Sequence, residues 1–185
     1  MFAGLLIIRG TYFIVTVTTI PYDESGKLEI VRECMAMIEY RKLITKELDT
    51  FIDMRIHQLR EEGATEDIDL KPALYDYYAK HMSDGTFVSW LAIDKQKIIG
   101  TSGISFVEKP PYFGCVSGKM GLLSSMFTDE NYRRKGIAKQ LLSKVVDEAR
   151  KYGCGTIQIT ASDIGVMLYT DFGFLKNGKF MQLKL

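Results

Sequence analysis

Apolar positions recur along this chain in two rhythms, one of about 3.6 residues and one of 2. Ile137, Leu141, Leu142, Val145, Val146 and Ala149 fall at helical spacing. They predict an amphipathic helix that stops at Tyr152-Gly153, where glycine is a natural C-terminal cap. Leu48, Phe51, Ile52, Ile56 and Leu59 mark one face of an earlier helix ending near Glu62-Gly63, with Thr45 as its expected N-cap. A second helix is expected over 70–81, with Pro72 tolerated in its first turn and Ser83-Asp84-Gly85 as its stop. A short one is expected over 165–172. Strand patterns cover 38–43, 87–93, 98–107, 121–128 and 156–160, with a turn at 94–97. A last strand is expected at the end, where Phe180, Gln182 and Lys184 alternate with Met181, Leu183 and Leu185. Residues 108–119 carry Pro110, Pro111, Gly114 and Gly118 and read as a long connecting loop. This order predicts an α/β protein with a mixed, mostly antiparallel sheet flanked by helices.

Residues 1–20 are apolar and rich in β-branched side chains. A membrane-spanning helix needs about twenty predominantly apolar residues, and Arg9, Gly10 and the threonines count against one. A secretory leader would carry a positive start and a small-residue cleavage site. A strand or hairpin is the expectation, followed by a turn or linker over 21–27. Met35 and Met37 stand just before the patterned region, so 1–36 is read as a peripheral extension or a start-site artefact, and 37–185 as the main domain.

Composition narrows the function without naming it. The chain has 185 residues, enough for one domain with a sizeable core. Its net charge of +1 argues against nucleic acid or an anionic membrane as the main partner. Cys34, Cys115 and Cys154 are too few and scattered for a disulfide framework or a zinc site. Reduced thiols in a cytoplasm are the simplest account. No metal cluster is visible, and His57 and His81 read as surface or satisfied residues.

The chemistry gathers around Arg133-Arg134-Lys135-Gly136-Ile137-Ala138. A strand pattern precedes this stretch and a helix pattern follows it. The first N–H groups of a helix lack internal acceptors, and its dipole makes that end partly positive. A glycine there lets an anion approach the backbone. The stretch therefore offers a pyrophosphate cradle, to which Arg133, Arg134 and Lys135 add charge. Taken alone, the stretch favours a solvated basic turn before an ordinary helix.

The continuation decides between these. About thirty residues on comes a segment with Leu168-Tyr169 followed by Gly173-Phe174. Together the two stretches resemble the GNAT N-acetyltransferases. Arg133-x-x-Gly136-x-Ala138 fits that family's phosphate-loop pattern, and the later segment fits its ending. The resemblance covers roughly 37–185. It implies a GNAT-like fold with two strands splayed at the acetyl-CoA site, and acetyl-CoA as co-substrate.

By that resemblance, residues 134–138 hold the pyrophosphate, and the backbone of Met126, Phe127 and Thr128 pairs with the pantetheine amides as an added strand would. A strand N–H near Met126 serves the thioester carbonyl. Ser162 stands where many members carry an Asn that bonds the cofactor. Tyr169 is implied as the acid that protonates the leaving thiolate; a phenol with a pKa of about 10 is protonated at pH 7. Some members use a strand Glu as base, but the matching position is near Leu122. The base is then Glu61, Glu62, Glu108 or a water chain. The acceptor is expected between the first two helices and the 108–119 loop, with Tyr75, Tyr78, Tyr112 and Phe113 as lining or core residues. The expected activity is direct acetyl transfer in a ternary complex to a primary amine of a small molecule. The alternatives are a peptide or protein acceptor, or a non-catalytic acyl-CoA-binding module. The family's habit also allows a homodimer.

Overall fold

A computed structural model describes residues 38–65, 67–178 and 181–183 in full, and 2–8 and 11–17 as backbone. The chain divides into two compact units, 1–37 and 38–185. In the first, β1 (Phe2–Ile8) and β2 (Thr11–Val17) pair antiparallel, from Phe2 opposite Val17 to Ile8 opposite Thr11. The expected turn at 21–27 and the start near Met37 lie outside the described residues, as does Cys34.

The second unit is built on a five-stranded sheet in the order β3-β4-β5-β6-β7. The strands are β3 (Glu39–Lys42), β4 (Phe87–Asp94), β5 (Lys97–Glu108), β6 (Lys119–Thr128) and β7 (Thr156–Gln158). Neighbours from β3 to β6 run antiparallel, and β6 and β7 run parallel. The sheet is thus mixed and mostly antiparallel, as its rhythm predicts. The parallel pair needs a long crossover, which α3 (Ile137–Tyr152) supplies. All six of its periodic apolar residues are buried. Gly153, at φ 84°, closes it in the left-handed region that glycine enters freely.

Helices α1 (Leu48–Glu61) and α2 (Lys71–Ser83) share a core with β4, in which Leu48, Phe51, Ile52, Tyr78, Phe87 and Leu91 meet. A separate cluster joins α3 and α4 (Asp163–Phe172) to β5 and β6 through Ile104, Phe106, Leu123, Leu142, Val145 and Tyr169.

Two expectations are corrected. Thr45 is no side-chain cap: it opens a 3-10 turn, Thr45–Glu47, and α1 begins at Leu48 without a capping side chain. Glu47, at the helix entrance, gives its carboxylate to Arg41 of β3 instead, at 2.8 Å. Burial of Leu48, Phe51 and Ile52 fixes the entry in place of a cap. At the other end, Met181, Gln182 and Leu183 form no strand and are exposed. Alternation makes a strand only where a neighbouring edge takes its N–H and C=O groups, and among the described residues none does. The rest of that segment (Phe180, Lys184, Leu185) lies outside them.

Candidate active site

β6 and β7 are partners only from Met120 opposite Thr156 to Leu122 opposite Gln158. Beyond that point β6 runs on to Thr128 and β7 ends, so the two strands part. Among the described residues, the edge of β6 from 123 onward, including Met126, Phe127 and Thr128, has no strand beside it on that side. An open edge offers backbone donors and acceptors to an extended amide chain. Leu122, at the last paired position, is exposed and brings no carboxylate.

The register of β5 and β6 shifts here. Thr101 faces Phe127 but Gly103 faces Ser124, so Ser125 and Met126 together face Ser102. This is a β-bulge, which bends a strand and turns backbone groups out of the ladder. Ser125 has φ 52°, the left-handed region unusual for a residue with a Cβ. Two hydrogen bonds hold it: Thr101 Oγ1 donates to Ser125 O at 2.8 Å, and Ser125 Oγ meets the Tyr78 hydroxyl at 3.2 Å. Burial pushes the Tyr78 phenol up, with the Ser125 contact opposing. Tyr78 is therefore core, not acceptor lining, whereas Tyr75, Tyr112 and Phe113 are exposed. Strain kept in place by its surroundings is common at reacting centres. Two serines inside the apolar run Leu122-Leu123-Ser124-Ser125-Met126-Phe127 were the one trace of this bulge in the sequence.

After β6 the chain makes a 3-10 turn, Glu130–Tyr132, capped by the Asp129 carboxylate on the Asn131 N–H at 3.1 Å. Lys97 of β5 holds that carboxylate at 2.8 Å and keeps its pKa below the usual range. The basic stretch follows. Arg134 (φ 63°) and Gly136 (φ 79°) both take left-handed conformations, which swing the backbone around in front of α3. The first bond inside the helix runs from Gln140 N to Gly136 O. The N–H groups of Ile137, Ala138 and Lys139 precede it and have no backbone acceptor among the described residues. A Cβ built on Gly136 meets nothing within 4 Å, so the space before these donors is open. Residues, donors and space together fit a pyrophosphate.

The basic side chains divide their tasks. Arg134 is exposed. Lys135 Nζ donates to Asn131 O at 2.9 Å and lies over the Tyr132 ring at 5.0 Å. Arg133 donates to Thr128 O at 3.0 Å and to both Glu61 oxygens at 2.8 and 3.0 Å. It therefore ties the turn to β6 and α1. The Ile137 side chain is core, packed with Ala92, Ile99 and Leu141.

Tyr169 projects from α4 into the α3 cluster, 7% exposed, with its ring edge-on to Phe174 at 5.7 Å. Its hydroxyl has no hydrogen-bond partner among the described residues and is not sealed from solvent. Burial, with the nearby Glu62 carboxylate adding to it, pushes the phenol up to about 12. Ser162 is the residue before α4; its carbonyl accepts from Gly165 N and Val166 N, and its hydroxyl is uncommitted.

Glu61, Glu62 and Glu108 stand in unlike places. Glu61 pairs with Arg133 and lies 3.5 Å from His57 Nε2. Glu108 faces Lys119 at the far end of β6, six residues or ~20 Å along the strand from Ser125. Glu62 stands at the C-terminal cap position of α1 and accepts from Gln58 Nε2 at 3.0 Å. A cavity of about 710 Å³ opens on the Glu61 side of α1, with Asp53, His57, Glu61, Phe127 and Asp129 in its wall. It reaches neither Tyr169 nor Ser125. Among the described residues no group of three His, Cys, Asp or Glu could hold a metal ion, and no helix is long and apolar enough to cross a membrane.

A bulged strand parting from a short parallel neighbour, with a left-handed glycine turn opening the crossover helix, defines an acetyltransferase-type fold. Residues 49–174 match the family model described as "Acetyltransferase (GNAT) family", and the chain belongs to that family. It is 31% identical over 120 residues to human N-acetyltransferase 8, covering 61% of this chain and 49% of that protein. The chain spans about half the length of the curated relatives it matches. Among solved structures, a predicted acetyltransferase from Clostridium acetobutylicum with acetyl-CoA superposes with a TM-score of 0.78 at 30% identity, covering 80% of this chain and 96% of that one. A GCN5-related N-acetyltransferase from Ralstonia eutropha gives 0.72 at 20% identity, covering 80% and 98%, and shares the fold.

Proposed function

We propose that residues 38–185 form an N-acetyltransferase that moves acetyl from acetyl-CoA to a primary amine of a small molecule by direct transfer. The observation that carries this is the parting of β6 from β7 beside the open Gly136 turn. The likeness to a protein solved with acetyl-CoA supports the same co-substrate.

Bound acetyl-CoA supplies an activated acetyl group and a thiolate leaving group. The N–H groups of residues 137–139 receive its pyrophosphate, with Arg134 facing the same solvent. The free edge of Met126, Phe127 and Thr128 takes the pantetheine arm, and Ser162 offers a hydroxyl. The bulge at Ser125 turns a backbone N–H toward the thioester oxygen, where a fixed donor counts most. Tyr169 gives its proton to the sulfur. A phenol held near 12 stays protonated throughout the neutral range, and the burial that raises it also raises a thiol beside it. Holding amine and thioester together contributes much of the rate.

Tyr169→Phe tests the reading. Its hydroxyl has no structural partner to lose, so the fold should stand while thiol release falls by about 10²–10⁴-fold. Unchanged turnover across a panel of amines would remove Tyr169 from the reaction.

A further inference from the structure

The sheet face under α2 carries an uncovered apolar patch at the point where β6 and β7 part. Tyr77 of α2 donates its hydroxyl to Ser105 Oγ on β5 at 2.8 Å, so Ser105 points toward α2. Ser105 stands opposite Leu122 of β6, and directly opposed residues of an antiparallel pair share a face. Leu122 in turn stands opposite Gln158, the last pair before β6 and β7 separate. The alternate residues Ile104, Phe106 and Leu123 pack with α3 on the other face. At this point β6 has a strand on either side, yet Leu122 is 38% exposed. Tyr77 is 40% exposed although its hydroxyl is bonded and its ring lies 4.3 Å from that of His81. The sheet positions of the patch are uncharged: Ser105, Leu122, Ser124 and Gln158. Leu122 precedes the Ser125 bulge by three residues, about 10 Å along the strand.

We propose that this patch receives the substituent of the acceptor: Leu122 and the Tyr77 ring bind an uncharged apolar group carried by the amine. Leu122 is the specificity-determining residue, and the hydrogen bond to Ser105 holds the Tyr77 ring in place beside it. The inference rests on the acetyltransferase reading and deepens it by naming the substrate class, monoamines with an apolar substituent rather than polyamines. An amine whose nitrogen reaches the thioester beside the Ser125 bulge lays its substituent back along β6, over Leu122. An apolar group there covers surface that otherwise stays in water. A second ammonium there would lose hydration, and the patch positions on the sheet offer no carboxylate to replace it.

The test measures kcat/KM for phenylethylamine, ethylamine and diaminobutane. Phenylethylamine should exceed each of the others by about tenfold or more. In Leu122→Ala its advantage over ethylamine should shrink by about tenfold, chiefly through KM. Leu122→Met keeps the apolar volume and should retain most of that advantage. Leu122 lies outside the buried core, so both variants should fold and keep the thermal shift given by acetyl-CoA. A second readout needs no turnover. In the CoA-saturated protein, phenylethylamine should move the 13C methyl signals of Leu122 and diaminobutane should not; where no amine is turned over, these signals decide. Equal kcat/KM for the three amines, a preference for the diamine, equal losses for both monoamines in Leu122→Ala, or stationary methyl signals overturn the proposal and leave the acetyltransferase reading standing. If acetyl-CoA gives no thermal shift at all, that reading falls and this inference with it.

Discussion

Two left-handed residues, Ser125 in β6 and Gly136 before α3, are held in opposite ways. Gly136 sits in solvent, and a built Cβ there touches nothing. Ser125 is 1% exposed and fastened by Thr101 and Tyr78. At Gly136 the conformation is available because the residue has no Cβ. At Ser125 it is imposed on a residue that resists it, by contacts from two other elements. The open position leaves space before the N–H groups of α3, and the locked position fixes the course of β6.

The strongest test of this contrast is the dryness of the locked side. Tyr169 packs in the same cluster as Leu123 and Met126, which flank the bulge region. Its folded pKa, raised to about 12, exceeds the unfolded value of 10.0. Below pH ~10 both states keep the proton and Tyr169 adds no pH dependence. Between there and about 12 only the unfolded state ionises, so stability falls, by about 2–3 kcal/mol for a shift of this size. Denaturant midpoints measured across that range should show the fall, and Tyr169→Phe should lack this share of it.

Next comes Ser125. Its replacement by Ala keeps the unfavourable φ and strands the buried Tyr78 hydroxyl, for a loss of about 1–3 kcal/mol. Ser125→Gly loses the same hydroxyl but relaxes the backbone, so it should melt above Ser125→Ala. The reverse order would mean that the bulge carries no strain. The smallest effect is expected at the turn. Gly136→Ala has room for its methyl and meets only the left-handed penalty of about 1–2 kcal/mol. Calorimetry should find that loss together with a raised KM for acetyl-CoA, because the methyl enters the space before the helix N–H groups.

The same contrast explains what could be read from the sequence. The α3 face, its two glycine ends and the order of elements from 38 to 172 rest on local rules of period and φ, and local rules are visible in a string of residues. The two motifs that carried Gly136 and Tyr169 are each contiguous in the sequence. The bulge is not, because its stability comes from Tyr78 and Thr101, each more than twenty residues away in sequence. That Arg133 also pairs with Glu61, seventy-two positions earlier, is a contact no local pattern shows. Thr45 looked like a cap because a hydroxyl before an apolar run usually is one. Burial of Leu48 and Phe51 set the helix start instead.

The Arg133 clasp has a further consequence. By joining Thr128, Glu61 and its own turn, it fixes three segments against one another in front of α3 as the chain folds. Conformational freedom is surrendered during folding and not at docking. Binding at this turn should therefore need little rearrangement of the backbone.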